Sequence, residues 1–91
     1  MLSETISAKH VTFTPSGVCS KCIDFDIASD GTIHNIRFTG GCHGNTQGVS
    51  ALAEGASACD VAARLRGIDC RGRGTSCPDQ LARAIEGALI N

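Results

Sequence analysis

Two β-forming segments flank the dipeptide Asp30-Gly31, and this arrangement constrains the fold more than any other feature of the chain. From Ser20 to Ile27, apolar residues alternate with polar ones, and a second segment rich in Ile and Phe runs from Ile33 to Thr39. A period of two is typical of a strand with one buried face. Asp-Gly favours a two-residue type I′ turn, which needs positive φ at both central positions. The sequence therefore predicts an antiparallel hairpin.

A two-residue loop also fixes which residues of the hairpin face each other. It pairs apolar with apolar residues and opposite charges with each other: Ile23 with Phe38, Phe25 with Ile36, and Asp24 with Arg37. A loop one residue longer or shorter would put the apolar side chains on opposite faces. The same register places Cys19 opposite Cys42, where Cβ atoms lie roughly 4.5–5.5 Å apart, close enough to share a metal ion.

Further elements precede and follow this hairpin. A strand is predicted from Thr5 to Thr14, ending at the turn-forming Pro15-Ser16-Gly17. A first helix is predicted with Asn45 as its N-cap, Gly55 at its end and an apolar face of Val49, Leu52, Ala53 and Ala56.

Two more helices are expected towards the end of the chain. Ser57 is a suitable cap for one whose inward residues include Val61 and Leu65. The last helix has Cys77 as its predicted N-cap and Pro78 in its first turn, with an apolar stripe of Leu81, Ala84, Ile85, Ala88 and Leu89. The fold class is α+β, a three-stranded antiparallel sheet followed by three helices packed on it.

Length and composition favour one small domain over residues 1–91 that needs a covalent or metal cross-link. The core must be aliphatic, because the chain has three Phe and no Trp or Tyr. A core of this size contributes only a few kcal/mol of net stability, so a metal or a disulfide is expected. Neither a signal peptide nor a membrane span is evident, which favours the cytoplasm, where thiols stay reduced. The six cysteines therefore favour metal or thiol chemistry over disulfides.

Four cysteines are the predicted ligands of one site, most simply a zinc site: Cys19, Cys42, Cys70 and Cys77. Three of them lie where the backbone changes direction, before a strand, within Gly40-Gly41-Cys42-His43-Gly44 and at a helix N-terminus. Cys70 precedes a short glycine-containing loop that leads to Cys77. The ligands alone do not separate zinc from iron or an iron–sulfur cluster.

The remaining cysteines and histidines are secondary candidates. His43 adjoins Cys42 and is a further candidate ligand. Cys22 forms C-x-x-C with Cys19, but residues three apart in a strand point to opposite faces, so it is a spare thiol or an additional ligand. Cys59 is assigned to core packing beside an apolar helical stripe. No catalytic constellation is recognised, so no catalytic residue is predicted.

Four arginines surround Cys70 in the sequence: Arg64, Arg66, Arg71 and Arg73. They suggest a patch that binds phosphate or a partner protein, or charges that offset a thiolate-rich metal site, while a solvated face is the default interpretation. The formal net charge of −1 gives no overall basic field, so binding of nucleic acid or nucleotide is only weakly supported and a membrane surface is not expected. The sequence does not define an oligomeric state.

Residues Thr75-Ser76-Cys77-Pro78-Asp79 resemble the motif after which the TSCPD domain family is named. The resemblance extends to Gly17-Val18-Cys19-Ser20, Phe38–Asn45 and Gly67-Ile68-Asp69-Cys70, and so covers nearly the whole chain. The family cysteines fall on the four predicted ligands. The family includes a domain at the C-terminus of vitamin B12-dependent ribonucleotide reductases, which implies a metal-binding accessory role in deoxyribonucleotide synthesis and such a reductase as a partner.

Two functional alternatives remain open. The chain is more distantly similar to iron–sulfur scaffold proteins of the NifU-like fold, which implies cluster or sulfur handling. However, it has Lys21 and Ser76 where that family has Asp and His. A thiol redox partner that uses Cys70 and Cys77 is the second alternative. Ribonucleotide reduction itself needs a large barrel and a radical cofactor, so the chain alone is not expected to be the reductase.

Overall fold

The computed structural model describes residues 9–18, 20–41, 43–72 and 74–90. Within these residues, an antiparallel sheet of three strands precedes three helices, which confirms the predicted α+β class. The strands are β1 (Lys9–Phe13), β2 (Ser20–Ile27) and β3 (Ile33–Gly40), and the helices are α1 (His43–Ala53), α2 (Ala58–Leu65) and α3 (Cys77–Ile90). The sheet order is β1-β2-β3, so β2 is central. Residues 5–8 of the predicted first strand lie outside the described residues.

The core lies between one face of the sheet and the helices. Ile23, Phe25 and Ile27 alternate along β2 and are buried, as the period of two predicts. They form one cluster with Ile33 of β3 and with small or branched residues from each helix: Ala53, Ala58, Val61, Ala62, Leu81, Ala82, Ala84 and Ile85. Apolar burial on this scale stabilises the domain by about 25 cal/mol for each Å² removed from water.

The hairpin turn differs from the predicted two-residue loop. Gly31 N–H donates to Ala28 O and Ala28 N–H donates to Thr32 O, both at 2.9 Å, so the loop contains three residues. Gly31 has a φ of 86°, whereas Asp30 is not among the residues with positive φ. A type I′ turn needs positive φ at both positions, so the observed loop is a type I turn followed by a left-handed glycine.

A bulge in β3 restores the predicted pairing further from the turn. Close to the loop, Asp26 faces His34, one position away from the predicted register, whereas Asp24 faces Arg37 and Ile23 faces Phe38 as predicted. The extra residue is accommodated near Asn35, which has a φ of 56°. Asn tolerates this left-handed conformation better than most side chains. The longer loop therefore leaves the apolar residues on one face because the bulge compensates for it.

A second irregularity lies at the other end of the ladder. Cys22 faces Thr39, but Ser20 faces Gly40, so the register shifts by one residue within β2. The register that predicted Cys19 opposite Cys42 therefore does not continue unchanged to the end of the hairpin. Both cysteines lie outside the described residues.

Helix α1 starts earlier and buries less than predicted. It begins at His43, two residues before the expected cap Asn45. Ala53 is buried, but Leu52 is 87% exposed, because the rest of the domain covers only part of the predicted apolar face. Gly55 follows the helix with a φ of 79°, as expected for a residue that ends it.

The other helices agree with the sequence within one residue. Ser57 caps α2 by accepting a hydrogen bond from Asp60 N–H, and Gly67 follows that helix with a φ of 89°. The N-cap of α3 is Ser76, not Cys77: its hydroxyl accepts from Asp79 N–H at 3.1 Å and its carbonyl from Gln80 N–H at 2.8 Å. Cys77 is thus the first residue inside the helix. In the described part of the chain, no helix is long and apolar enough to cross a bilayer.

Candidate metal centre

The thiol of Cys77 lies in a closely packed setting at the start of α3. Cys77 is 8% exposed. Its Sγ is 2.9 Å from Oγ of Ser20, the first residue of β2, and Ser20 is itself buried. The helix N-terminus presents N–H groups and a partial positive charge, which favour a negative group at this position. Cys77 therefore joins the beginning of the central strand to the beginning of the last helix.

Gly41, the residue after β3, approaches the same thiol. A Cβ on Gly41 would clash with Ser20 Oγ and lie 3.5 Å from Cys77 Sγ. Gly41 also has a φ of 85°, a conformation that L side chains rarely adopt. Both observations explain why glycine occupies this position. The segment that leads into Cys42 therefore passes directly beside Cys77.

Cys70 is held close to the family motif by the loop between α2 and α3. Its N–H donates to Thr75 O at 3.1 Å, and its side chain is half-buried. Asp69 organises this loop, because its carboxylate accepts hydrogen bonds from the N–H groups of Gly72 and Gly74. The chain therefore folds back between Cys70 and Cys77 through the short glycine-containing loop.

Asp79 connects the two ends of this loop. It is fully buried and accepts hydrogen bonds from Thr75 Oγ1 at 2.6 Å, Gly67 N–H at 2.7 Å and Arg83 Nε at 2.8 Å. Burial by itself would raise the pKa of Asp79, but the three donors outweigh it and lower the pKa below its ordinary value of 3.8. The carboxylate thus ties the end of α2 to the first turn of α3.

The loop between β1 and β2 packs against the same motif. Gln80 donates from Nε2 to Thr75 Oγ1 at 2.9 Å, and its Oε1 accepts from Ser16 N–H at 3.2 Å. A Cβ on Gly17 would come within 3.2 Å of the Thr75 methyl group. The segment that leads into Cys19 is therefore positioned by polar side chains of the Thr75–Gln80 segment.

The structure brings some of the predicted site residues together and leaves others apart. Cys70 and Cys77 lie at the two ends of one short loop, while Cys19 and Cys42 lie outside the described residues. In residues 9–18, 20–41, 43–72 and 74–90, no group of three or more His, Cys, Asp or Glu side chains is placed to hold a metal ion. These residues include only two of the four predicted ligands, Cys70 and Cys77. His43 begins α1.

The two remaining cysteines lie elsewhere. Cys22 is on the sheet face opposite the core and donates to Asp24 Oδ2 at 3.6 Å. Burial and the negative charge of Asp24 raise the pKa of Cys22, which favours the neutral thiol over the thiolate that a metal requires. Cys59 is exposed on α2, so its assignment to core packing was wrong: the side chain falls beside the buried stripe instead of within it.

The four arginines do not share one environment. Arg66 forms an ion pair with Glu86 of α3, and Arg64 lines a groove beside α2. Arg71 is exposed in the loop after Cys70 and has a φ of 55°, while Arg73 lies outside the described residues. Arg66 therefore has a carboxylate partner on α3, and the arginine patch stays a prediction.

A separate polar cluster covers the outer face of the sheet. His10 Nδ1 is 2.6 Å from Asp26 Oδ1, and Thr12 donates to Asp24 at 2.7 Å. The hydrogen bond to Asp26 is the main cause that raises the pKa of His10 above 6.5. These contacts satisfy cross-strand neighbours on an exposed surface, and they lie on the face opposite the core.

Sequence reasoning missed the polar residues that position the cysteine-bearing segments, namely Ser20, Asp69, Thr75, Asp79 and Gln80. Four of them occur inside the motifs quoted for the family resemblance, immediately beside or close to a cysteine. That proximity was the available signal. The contacts themselves join residues far apart in the chain, for example Ser20 and Cys77, and no local pattern predicts them.

The fold and these contacts define a small α+β domain in which three segments meet at the N-terminus of the last helix. These cysteine-bearing segments are the start of β2, the residue after β3 and the loop between Cys70 and Cys77. The TSCPD domain model matches residues 3–89, so the chain belongs to the TSCPD domain family. A search of curated proteins and a search of solved structures each found no match. The resemblance to the NifU-like fold therefore stays a prediction.

Proposed function

We propose that this TSCPD domain binds one zinc ion through Cys19, Cys42, Cys70 and Cys77 and acts as an accessory module in ribonucleotide reduction. The observation that carries the proposal is the convergence of the segments around these cysteines. Ser20 and Gly41, the chain neighbours of Cys19 and Cys42, both lie against Cys77 Sγ. The backbone N–H of Cys70 donates a hydrogen bond to the carbonyl oxygen of Thr75, two residues before Cys77.

The donor chemistry around Cys77 fits a metal thiolate. The side chain is buried, so a thiolate there needs compensation, and the helix N-terminus and the Ser20 hydroxyl both favour negative charge. Four thiolates suit zinc, whose structural sites are closed by four ligands. A closed site supplies folding energy and no open coordination position, so zinc would stabilise the domain rather than carry out chemistry.

The accessory role is supported by family membership and by the size of the domain. The family resemblance extends to C-terminal domains of vitamin B12-dependent ribonucleotide reductases, and a model of the family matches nearly the whole chain. A domain of 91 residues with one small core cannot also house a barrel and a radical-generating cofactor. A ribonucleotide reductase is therefore the proposed partner, and the domain is proposed to contact it as a folded module.

Elemental analysis and a visible spectrum of anaerobically purified protein test the metal. We expect about one zinc per chain, as a closed four-cysteine site holds one ion, and no visible colour. Iron with sulfide-to-iron absorption would replace this proposal with the iron–sulfur alternative. Metal-free protein that exchanges reversibly between dithiol and disulfide forms would favour the thiol redox alternative.

Single cysteine variants test the ligand set. Cys42→Ser and Cys77→Ser should each lose most of the bound zinc, because a hydroxyl is a much poorer zinc ligand than a thiolate. Cys59→Ser is the matched control, since Cys59 is exposed on α2, and it should retain the metal. Full zinc content in Cys42→Ser would exclude the proposed quartet.

A further inference from the structure

An apolar groove runs between α1 and α2, away from the cysteine-bearing segments. Its volume is about 410 Å³. Six apolar residues line it: Val49, Leu52, Ala53, Ala56, Val61 and Leu65. Leu52 is 87% exposed at this groove and is the most exposed large apolar side chain in the described part of the chain. An exposed apolar groove with a projecting leucine is a candidate contact surface, because covering it would remove apolar area from water.

The charges at the groove are one basic and one acidic group on the same helix. Asp60 and Arg64 both line it and lie one turn apart on α2. Within the described residues, no ion pair involves either side chain, whereas Arg66 pairs with Glu86 and Arg83 pairs with Asp79. The two groove charges therefore remain available to a binding partner.

We propose that a second copy of this chain occupies the groove, in a twofold-symmetric dimer with the α2 helices antiparallel. A twofold axis at the level of residue 62 brings Asp60 of one copy opposite Arg64 of the other, and the reverse pair forms by symmetry. The surface is thus complementary in charge to itself. The apolar part of the surface is also complementary to itself. Leu52 of each copy projects beside its own groove, and the twofold axis presents the same groove of the other copy to it.

The dimer keeps the cysteine-bearing segments free. The groove uses α1 and α2, while Ser20, Gly41 and Cys77 meet at the start of β2, the end of β3 and the start of α3. Dimer formation and metal binding are therefore separable, and a variant that loses one should keep the other.

Sedimentation equilibrium over a concentration series tests the dimer, with Leu52→Gln compared against Leu89→Gln. Leu89 is exposed on α3 but does not line the groove. The parent chain and Leu89→Gln should form dimers. Leu52→Gln should raise the dissociation constant at least about 100-fold, because two leucines leave the interface. Circular dichroism confirms that each variant is folded. A parent chain that stays monomeric at every concentration overturns the proposal.

Charge reversal tests the geometry of the dimer. Asp60→Arg gives a copy with two basic groups at the groove, and Arg64→Glu gives a copy with two acidic groups. Each variant alone should dimerise more weakly than the parent chain, because like charges then face each other across the axis. An equimolar mixture should form heterodimers of at least parental affinity. If the mixture associates no better than either variant alone, the antiparallel arrangement is wrong.

Discussion

Asp79 is the fully buried charged side chain among the described residues, and its surroundings are complete. A hydroxyl, a backbone N–H and a guanidinium donate to its two oxygens. A buried carboxylate without such donors would be costly, so the three contacts are what permit its burial. The hydrogen bonds of Asp79 therefore hold the loop between α2 and α3 in place.

Asp79→Asn should lower the free energy of unfolding by about 2–4 kcal/mol, because a neutral amide accepts fewer of these hydrogen bonds and leaves Arg83 without a counter-charge. Urea denaturation followed by circular dichroism measures the change. The matched control is Glu86→Gln, which removes the exposed partner of Arg66 and should cost less than about 1 kcal/mol. Equal effects of the two substitutions would contradict a special role for the buried carboxylate.

The same residue gives an acid dependence of stability. The pKa of Asp79 is lower in the folded domain than its ordinary 3.8, so the carboxylate contributes its full stabilisation above that pH. The contribution is lost as the pH falls below 3.8 through the folded pKa. As the pH is lowered below 4, the free energy of unfolding should therefore decline less steeply in Asp79→Asn than in the parent chain. Thermal unfolding over a pH series measures this difference.

At the scale of single elements, the sequence predicted what local patterns determine. The alternation along β2 and the stripes of α2 and α3 identified most of the buried residues, because burial of one face imposes a period on the sequence. Leu89 is the exception in the predicted stripe of α3, since it is 42% exposed near the end of that helix. The turn was less determined: Asp30-Gly31 suits both a two-residue and a three-residue loop, and only Gly31 adopts positive φ. At the compensating bulge, Asn35 donates from its N–H to Glu54 and from Nδ2 to Asp26, and the dipeptide does not encode these contacts.

The candidate site divides in the same way. The cysteine segments were identified from motif positions and from their places at the ends of elements. The contacts that assemble them, such as Ser20 with Cys77 and Gly67 with Asp79, join different elements and follow only from the tertiary structure. Leu52 was misplaced because a helical stripe shows which residues share a face, and not how much of that face is covered.

Two glycines beside and within α1 should respond in opposite ways to alanine. Gly41 has positive φ, and a Cβ added to it would clash with the Ser20 side chain. Gly41→Ala should therefore destabilise the domain by about 1–3 kcal/mol. Gly48 lies inside α1 with nothing within 4 Å of an added Cβ, so Gly48→Ala should stabilise it by about 0.5–1 kcal/mol. Thermal unfolding of both variants checks the signs. A stabilised Gly41→Ala would show that the loop after β3 does not approach Ser20 as described.

In the whole molecule, the aliphatic core and the proposed metal ion connect different segments of the chain. The core joins the sheet to all three helices, but the segments that meet at Cys77 are loops and element ends with few large apolar side chains. One ion held by the four cysteines would cross-link the start of β2, the approach to α1 and the loop before α3. The proposed zinc would therefore stabilise contacts between segments that contribute no side chain to the core cluster.

Removing zinc should then lower the free energy of unfolding by several kcal/mol, about as much as a core of this size contributes by itself. The measurement is urea denaturation of zinc-loaded and chelator-treated protein, with released zinc recorded by a colorimetric indicator. Zinc should be released in the same transition in which the circular dichroism signal is lost, because ligands from distant segments remain together only in the folded chain. Cys77→Ser should unfold like the chelated parent and respond little to chelator, whereas Cys59→Ser should behave like the zinc-loaded parent. Identical unfolding curves with and without zinc would mean that the ion, if bound, does not connect these segments.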